Sequence, residues 1–399
     1  MIRRFFVLCT LVLTWLGTAA AQTAFQTTRE TQSRNIVVMN PESPYVQAIS
    51  PLVWWAIGMS VVVLVGTGGA LWYVVHKFRA RPTDVGEPPQ FHGNNALELV
   101  LFAVPIAMVA VLTILTANTL SKVNAIPKAG TVKITATGWQ FWWDFDYSAL
   151  GFRNANEMII PVGQPIEITT VGGDVIHSLW LTSLGAKRDA IPGQKGHFTL
   201  TAPRPGVYYG QCTELCGPSH ANMLFRVIAV EPADFDTFVK AAKNFKPSEE
   251  LPTATASSKT SIDTAQVSST PDSSNSSGPR EVFAQAKTLS GRQLFEANCS
   301  ACHAVQGTNA RGIIGPNLSY VGSRSTLGAG IFKNEPKQLR EWIAHAPALK
   351  PGNKMPAFDG SPGSIKKLSS EEIDAIAKYL EGNVLKGLDL AKYEAMPQR

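Results

Sequence analysis

The sequence predicts a multidomain membrane protein: a two-helix transmembrane hairpin, then a β-sandwich, then a separate all-α domain. Three observations carry that reading over the 399 residues. Two uncharged apolar runs are each long enough to cross a bilayer. Beyond them, residues 131–231 alternate β-branched and aromatic stretches with Gly/Pro turns, the pattern of half-buried strands. After an interruption rich in Ser, Thr and Pro, the apolar period becomes that of helices.

Residues 1–21 open with Arg3 and Arg4, continue as FFVLCTLVLTWLG and close on small residues, which predicts a secretory signal peptide cleaved after Ala21. Cys9 lies inside that apolar run and leaves with it. Residues 22–125 hold the hairpin, with spans at about 52–75 and 99–120. Gly66, Gly68, Gly69 and Pro105 are tolerable inside membrane helices. His76, Lys77, Arg79 and Arg81 follow the first span, so the positive-inside rule assigns the short connecting loop to the cytoplasm. Together with the signal peptide, this predicts a multi-pass protein of the bacterial inner membrane. Its N-terminus and its C-terminal domains then face the periplasm, and the lipid bilayer is its first partner. The net charge of +6 is spread over all segments without a Lys- or Arg-dense run, so no nucleic acid is expected as a partner.

The sandwich is expected over residues 126–240, in stretches such as VKITATG and PIEITT whose residues alternate apolar and polar. Residues 246–280 contain almost no large apolar side chains and cannot bury enough surface to order themselves, so they read as a flexible linker. The last domain, residues 281–390, carries the helix-forming stretch GRQLFEANCSACHAVQG near its start. Cys299, Cys302 and His303 form the C-x-x-C-H pattern of covalent c-type haem attachment, with His303 as proximal ligand. A thioredoxin-type C-x-x-C would lack the adjoining histidine and would sit near a βαβ pattern. Met355, in PGNKMPAF, is the candidate distal ligand, because the only other methionine that follows, Met396, lies in a terminal segment. The stretch SSEEIDAIAKYLEG carries a capping pattern and an apolar stripe of Ile373, Ile376, Ala377 and Leu380, read as core.

The densest chemistry lies in QCTELCGPSHANM, where Cys212, Cys216, His220 and Met223 share one short loop. Thiolate and thioether donors select soft metals, and zinc gains little from a methionine. A mononuclear blue-copper site takes one cysteine, so two cysteines point to two coppers sharing bridging sulfurs. A Cys212–Cys216 disulfide beside a core methionine is the competing reading. The second imidazole such a site needs is His177, in the apolar run of GGDVIHSLWL. The four cysteines left after Cys9 form two close pairs inside ligand motifs, so no structural disulfide is needed.

Taken together, VIHSLWL, KRDAIPGQ and YGQCTELCGPSHANM resemble the CuA domain of subunit II of the haem–copper cytochrome c oxidases, over roughly residues 30–235. The resemblance implies a cupredoxin sandwich holding a dinuclear copper centre. One copper would take His177 and Met223; the other would take His220 and the carbonyl of Glu214, with Cys212 and Cys216 bridging. It also implies a Mg2+ held partly by the Glu214 side chain and shared with subunit I. Residues 285–385 resemble class I cytochromes c, through the haem motif, Met355 and Gly315-Pro316-Asn317-Leu318, whose proline carbonyl would accept the proximal imidazole N–H. The pair of resemblances matches caa3-type oxidases, whose subunit II carries its own cytochrome c.

The function implied is electron entry into a respiratory oxidase. Electrons would pass from haem c to CuA and on to haem a of subunit I, where O2 reduction and proton pumping occur. Cytochrome c or a membrane reductase would be the donor, and the other oxidase subunits the stable partners. The family's electron-entry tryptophan aligns with Phe141, beside Trp142 and Trp143. Glu98 aligns with an acid at the mouth of a proton path in subunit I; on its own it reads as a solvated helix-end acid. Two alternatives remain at this stage: the CuA subunit of a nitric oxide reductase, and a membrane-anchored copper-delivery or thiol-redox protein. His76, His92, His197 and His345 belong to no motif.

Overall fold

A computed structural model of the chain describes residues 43–81, 86–87, 93–124, 131–248 and 289–396. The signal peptide, His92 and all but the first three residues of the Ser/Thr/Pro-rich linker lie outside them. The chain divides into two compact units. One comprises residues 1–243 with 328–332 and 387–399, and the other residues 244–327 and 333–386.

In the first unit, α1 (Pro44–Lys77) and α2 (Asn95–Val123) are both long and apolar enough to cross a membrane. Their apolar stretches have mean hydropathy 2.1 and 2.7, and side chains such as Leu64 and Leu99 stand exposed. That much uncovered apolar surface is stable only in a lipid environment or against partner helices. Both helices outrun the apolar stretches. For α1, 34 residues at ~1.5 Å each span ~50 Å, against a hydrocarbon core of ~30 Å. Its head is free to meet the sandwich: Ser43 Oγ donates to the Leu184 carbonyl (2.8 Å), and Val46 is buried against Gly185. Asn94 caps α2 by accepting from the amides of Ala96 and Leu97, and Glu98 sits in the first turn, where a carboxylate complements the helix dipole.

The sandwich is built from β1 (Lys133–Trp139), β2 (Trp142–Tyr147), β3 (Phe152–Ala155), β4 (Glu157–Pro161), β5 (Ile166–Gly172), β6 (His177–Leu181), β7 (Lys187–Ala190), β8 (Gly196–Leu200), β9 (Gly206–Cys212) and β10 (Leu224–Val230). One sheet has the order β3-β2-β1-β5-β8 and the other β4-β10-β9-β6-β7. The β1–β5 and β4–β10 pairs are parallel, so the sheets are mixed. Burial alternates along β1 and β5, as period-2 patterning requires, whereas β4 and β10 are buried throughout. Aromatic rings fill the space between the sheets: Phe225 meets Trp143 at 5.7 Å and Phe145 at 5.8 Å, both edge-on. The helix α3 (Pro232–Lys243) adds Phe238 against Tyr147 and Phe152. Two strands escape the sequence pattern. Both β3 and β7 have only four residues and are rich in Arg, Lys, Asn and Asp, and pairing rather than propensity makes them strands.

The second unit packs α4 (Gly291–Asn298), α5 (Pro336–Leu349) and α6 (Ser370–Glu381) around Leu294, Phe295, Ile376 and Leu380, with Phe295 and Tyr379 rings 5.5 Å apart. Ser290 with Gln293, and Ser369 with Glu372, form complete capping boxes at α4 and α6. Of the predicted stripe on α6, Ile376, Ala377 and Leu380 are buried, while Ile373 is half-buried. Instead Tyr379 and Ala375 complete the buried face, so packing centres the stripe slightly off the axis that spacing predicts. A minimal two-residue ladder, Thr326–Leu327 with Phe332–Lys333 (β11 and β12), departs from a purely helical composition. The last helix, α7 (Ala391–Glu394), groups with the first unit.

Candidate metal centre

The antiparallel pairing of β9 and β10 brings the ends of QCTELCGPSHANM together. Cys212 closes β9, Leu224 opens β10, and the Cys212 amide donates to the Met223 carbonyl (3.0 Å). Everything between is one hairpin loop, tightened at its far side by a 3-10 turn, His220–Asn222. On the other flank of β9 lies β6, with Leu179 opposite Cys212, so His177 stands two residues along from that pairing and at the same end of the sheet. The Thr213 amide donates to the Ser178 carbonyl (3.1 Å), which ties loop and strand.

This geometry gathers the predicted donors. The Sγ atoms of Cys212 and Cys216 lie 3.9 Å apart, far beyond the ~2.05 Å of a disulfide, and both cysteines are free. Cys212 Sγ is 3.8 Å from His177 Nδ1 and 3.4 Å from the Glu214 carbonyl oxygen. Cys216 Sγ is 3.6 Å from His220 Nδ1 and 3.8 Å from Met223 Sδ. Ligand atoms of His177, Cys212 and Cys216 all fall within 4.8 Å of one another. His177 and Met223 are fully buried, and the Glu214 side chain is exposed. Two sulfurs flanked by two imidazoles, a thioether and a carbonyl form a donor set that suits a pair of soft metal ions bridged by thiolates.

The two thiols share their ionisation. Hydrogen bonding from the Cys216 thiol, then from His177, lowers Cys212 against the opposing effect of burial. The same hydrogen bond, then burial and the Cys212 charge, push Cys216 upward in turn. One proton therefore leaves the pair more readily than the second. Burial alone would depress His177, but its contacts with Cys212 and Asp174 outweigh that and raise it.

Two supporting residues were not singled out by sequence reasoning. The Asp174 carboxylate lies 2.9 Å from His177 Nε2 and also accepts from the Gln140 amide (3.0 Å), so it fixes the imidazole with Nδ1 toward the sulfurs. Gln140 in turn donates through Nε2 to the Cys216 carbonyl (2.5 Å). The available signal was spacing: Asp174 precedes His177 by three residues in GGDVIH. Gly138 is obligatory beneath the ring, because a Cβ there would lie 2.8 Å from His177 ring carbons. Replacing Asp174 with alanine is expected to weaken copper binding about 10–100-fold. Competition with a copper chelator measures this, and an unchanged affinity would show that the ring is held by packing alone.

The aromatic segment supports the loop. Phe141 is buried, and a Cβ at Gly217 would come 3.0 Å from its ring. Trp143 is buried and meets His177 edge-on at 5.9 Å, while Trp142 is half-buried and stacks on Trp139 at 6.4 Å. The Gln140–Phe141 peptide is cis.

In the second unit, His303 Nδ1 lies 2.9 Å from the Pro316 carbonyl, which therefore accepts the imidazole N–H. Gly315 is packed so closely that a Cβ would sit 2.6 Å from the His303 ring. Burial lowers the His303 pKa, which keeps the ring neutral and able to ligate through Nε2. Burial likewise pushes the Cys299 thiol up to about 12, the opposite of the lowered thiol that a thioredoxin-type C-x-x-C needs. Met355 lies in the turn after α5, its amide donating to Asn353 Oδ1, and Asn353 Nδ2 is buried without a hydrogen-bond partner. An orphaned buried donor beside the candidate distal ligand fits a domain shaped around a polar-edged group such as haem.

The remaining histidines have ordinary settings: His76 bonds the Trp72 carbonyl, His197 pairs with Thr169, and His345 pairs with Asp359.

Comparison with known proteins bears on both units. Residues 151–230 match the family model for the periplasmic domain of cytochrome c oxidase subunit II, and residues 289–383 match that for cytochrome c. A cytochrome c oxidase subunit 2 of Alkalihalophilus pseudofirmus is 33% identical over 352 residues, covering 87% of this chain and 90% of the relative. One from a Bacillus species is 29% identical over 320 residues, covering 76% and 79%. Among solved structures, the periplasmic domain of cytochrome oxidase subunit II of Bradyrhizobium japonicum is 37% identical. That likeness covers 30% of this chain and 96% of that one, with a TM-score of 0.29.

Proposed function

The chain belongs to the cytochrome c oxidase subunit II family, and from that premise we propose that its loop and strand donors hold the CuA copper pair that receives electrons from its own haem c. It is a membrane-anchored subunit of a respiratory oxidase and works in a complex with other oxidase subunits. The single observation that supports the electron-entry reading most directly is the convergence of Cys212, Cys216, His177, His220, Met223 and the Glu214 carbonyl at one end of the β6–β9–β10 sheet.

When bound, the copper pair would supply a one-electron relay and the haem a one-electron donor. The chain's own residues do the rest. Cys212 and Cys216 would hold the pair together with His177, His220 and Met223, Asp174 orients His177, and Gln140 pins the Cys216 carbonyl. Phe141, Trp142 and Trp143 form the electron-entry wall around the loop. Cys299 and Cys302 would take the haem covalently as thioethers, His303 and Met355 would hold its iron, and the Pro316 carbonyl holds the His303 ring in place for that role. The Glu214 side chain is exposed while its carbonyl meets Cys212 Sγ, which leaves the carboxylate available to a Mg2+ shared with subunit I. Glu98, in the first turn of α2, takes the proton-entry role.

The sandwich and the haem domain face the periplasm from the bacterial inner membrane, and cytochrome c or a membrane reductase donates to the haem. O2 reduction and proton pumping are then carried out on subunit I, haem a being the acceptor from copper. Purifying the native complex tests the reading. Metal and haem analysis should find copper and haem c with this chain, near-infrared absorption should report a mixed-valence copper pair, and O2 rather than NO should be consumed. Copper without the near-infrared band would instead mark a copper-delivery protein.

A further inference from the structure

The strand β10 is buried along its whole length, yet it carries Arg226, whose side chain is 5% exposed. A buried guanidinium is costly unless its donors meet acceptors. Glu157, directly opposite on β4 and 1% exposed, supplies one acceptor. The second arrives from far along the sequence: Glu394 Oε1 lies 3.2 Å from Arg226 Nη1. Its neighbours add to the contact. Tyr393 is 1% exposed, and its hydroxyl accepts from the Glu231 amide (3.0 Å) and donates to Asp234 at the head of α3. Lys392 pairs with the same Asp234 carboxylate. A solvated terminal segment would show neither a buried tyrosine nor a link to a buried arginine.

We propose that residues 390–396 are a clasp, and that Arg226, Glu231 and Asp234 form the surface on the sandwich built to receive it. The segment lies beyond the haem-bearing residues, so the chain that leaves the sandwich after Lys243 is fastened to it again. The haem-bearing unit is thereby held at both of its chain ends instead of trailing from one linker. Its function follows from effective concentration: a second attachment limits the volume the tethered donor samples and raises the frequency with which it meets the copper site. This consequence rests on the reading that haem c feeds the copper pair.

The test uses the assembled complex carrying either a chain that ends at Asp389 or the single substitution Glu394→Lys, which leaves Arg226 its Glu157 partner. Hydrogen exchange at the Glu231 amide reports the clasp, and flash reduction of the haem reports transfer to copper. Both variants should expose the Glu231 amide and slow haem-to-copper transfer by about tenfold or more, with the near-infrared copper band unchanged. An unchanged transfer rate in a complex whose Glu231 amide has lost protection overturns the functional claim. An unchanged exchange rate overturns the clasp itself. Absence of haem-to-copper transfer in the unmodified complex would instead defeat the electron-entry reading, and the exchange data would still judge the clasp. If the shortened chain does not assemble, Glu394→Lys carries the test.

Discussion

A chain carrying Cys216→Ser is expected to lose the mixed-valence copper signature altogether and to reduce donor-driven O2 uptake by its complex to background. The size of the effect follows from how the site is built. Cys216 Sγ faces Cys212 Sγ, His220 Nδ1 and Met223 Sδ, all within 3.9 Å, so it touches three of the other donors at once. A serine hydroxyl is a hard donor whose proton is not released at neutral pH, so it would not serve soft copper in place of the thiolate. The check is EPR and near-infrared absorption of the purified complex, with far-UV circular dichroism to show that the sandwich is intact. A retained mixed-valence signal would mean that a single thiolate suffices.

The double substitution Cys299→Ala with Cys302→Ala should remove the haem from the denatured polypeptide and stop transfer from the natural donor, while leaving the copper spectrum as it was. The proposed copper and haem donors belong to separate compact units, each with its own core, so loss of one set is expected to leave the other in place. A thioether bond survives denaturation, whereas a bond from an imidazole to iron does not. Haem staining of a denaturing gel reads the first claim and copper EPR the second. Haem that still migrates with the doubly substituted chain would overturn the attachment. Loss of copper together with haem would show that the units fold as one.

Much of this was legible in the residues because ligand chemistry is local. The pair Cys212 and Cys216, with His220 and Met223, names its metal class by donor type and spacing, and C-x-x-C-H does the same for haem. His177 was reachable because an imidazole in an apolar run needs a reason. What escaped was set by pairing in space. The strands β3 and β7 exist because neighbours complete their ladders. Asp174 matters only because β6 turns its histidine back toward it, and Arg226 becomes legible only once residue 394 is beside it. Nothing in the local pattern around Tyr393 distinguishes a buried side chain from a surface one. Ile373 on α6 shows the same limit at small scale: period locates a face to within a residue, and packing chooses its centre.

The contact between Ser43 and Leu184 gives the short strand β6 a second meaning. His177 stands at one end of that strand, and the turn joining it to β7 rests on the head of the first membrane helix at the other. Four residue steps at ~3.3 Å make the strand a gauge block of ~13 Å between the end that meets the helix and the end that carries His177. The Cys212 and Cys216 sulfurs belong to β9 and the loop beyond it, so their position does not follow the length of β6. An added pair of residues in β6 would carry the imidazole ~7 Å away from them on the same face, whereas a single added residue would turn it to the opposite face. One short strand is thus held to a single working length, by the donors at one end and the apolar helix at the other.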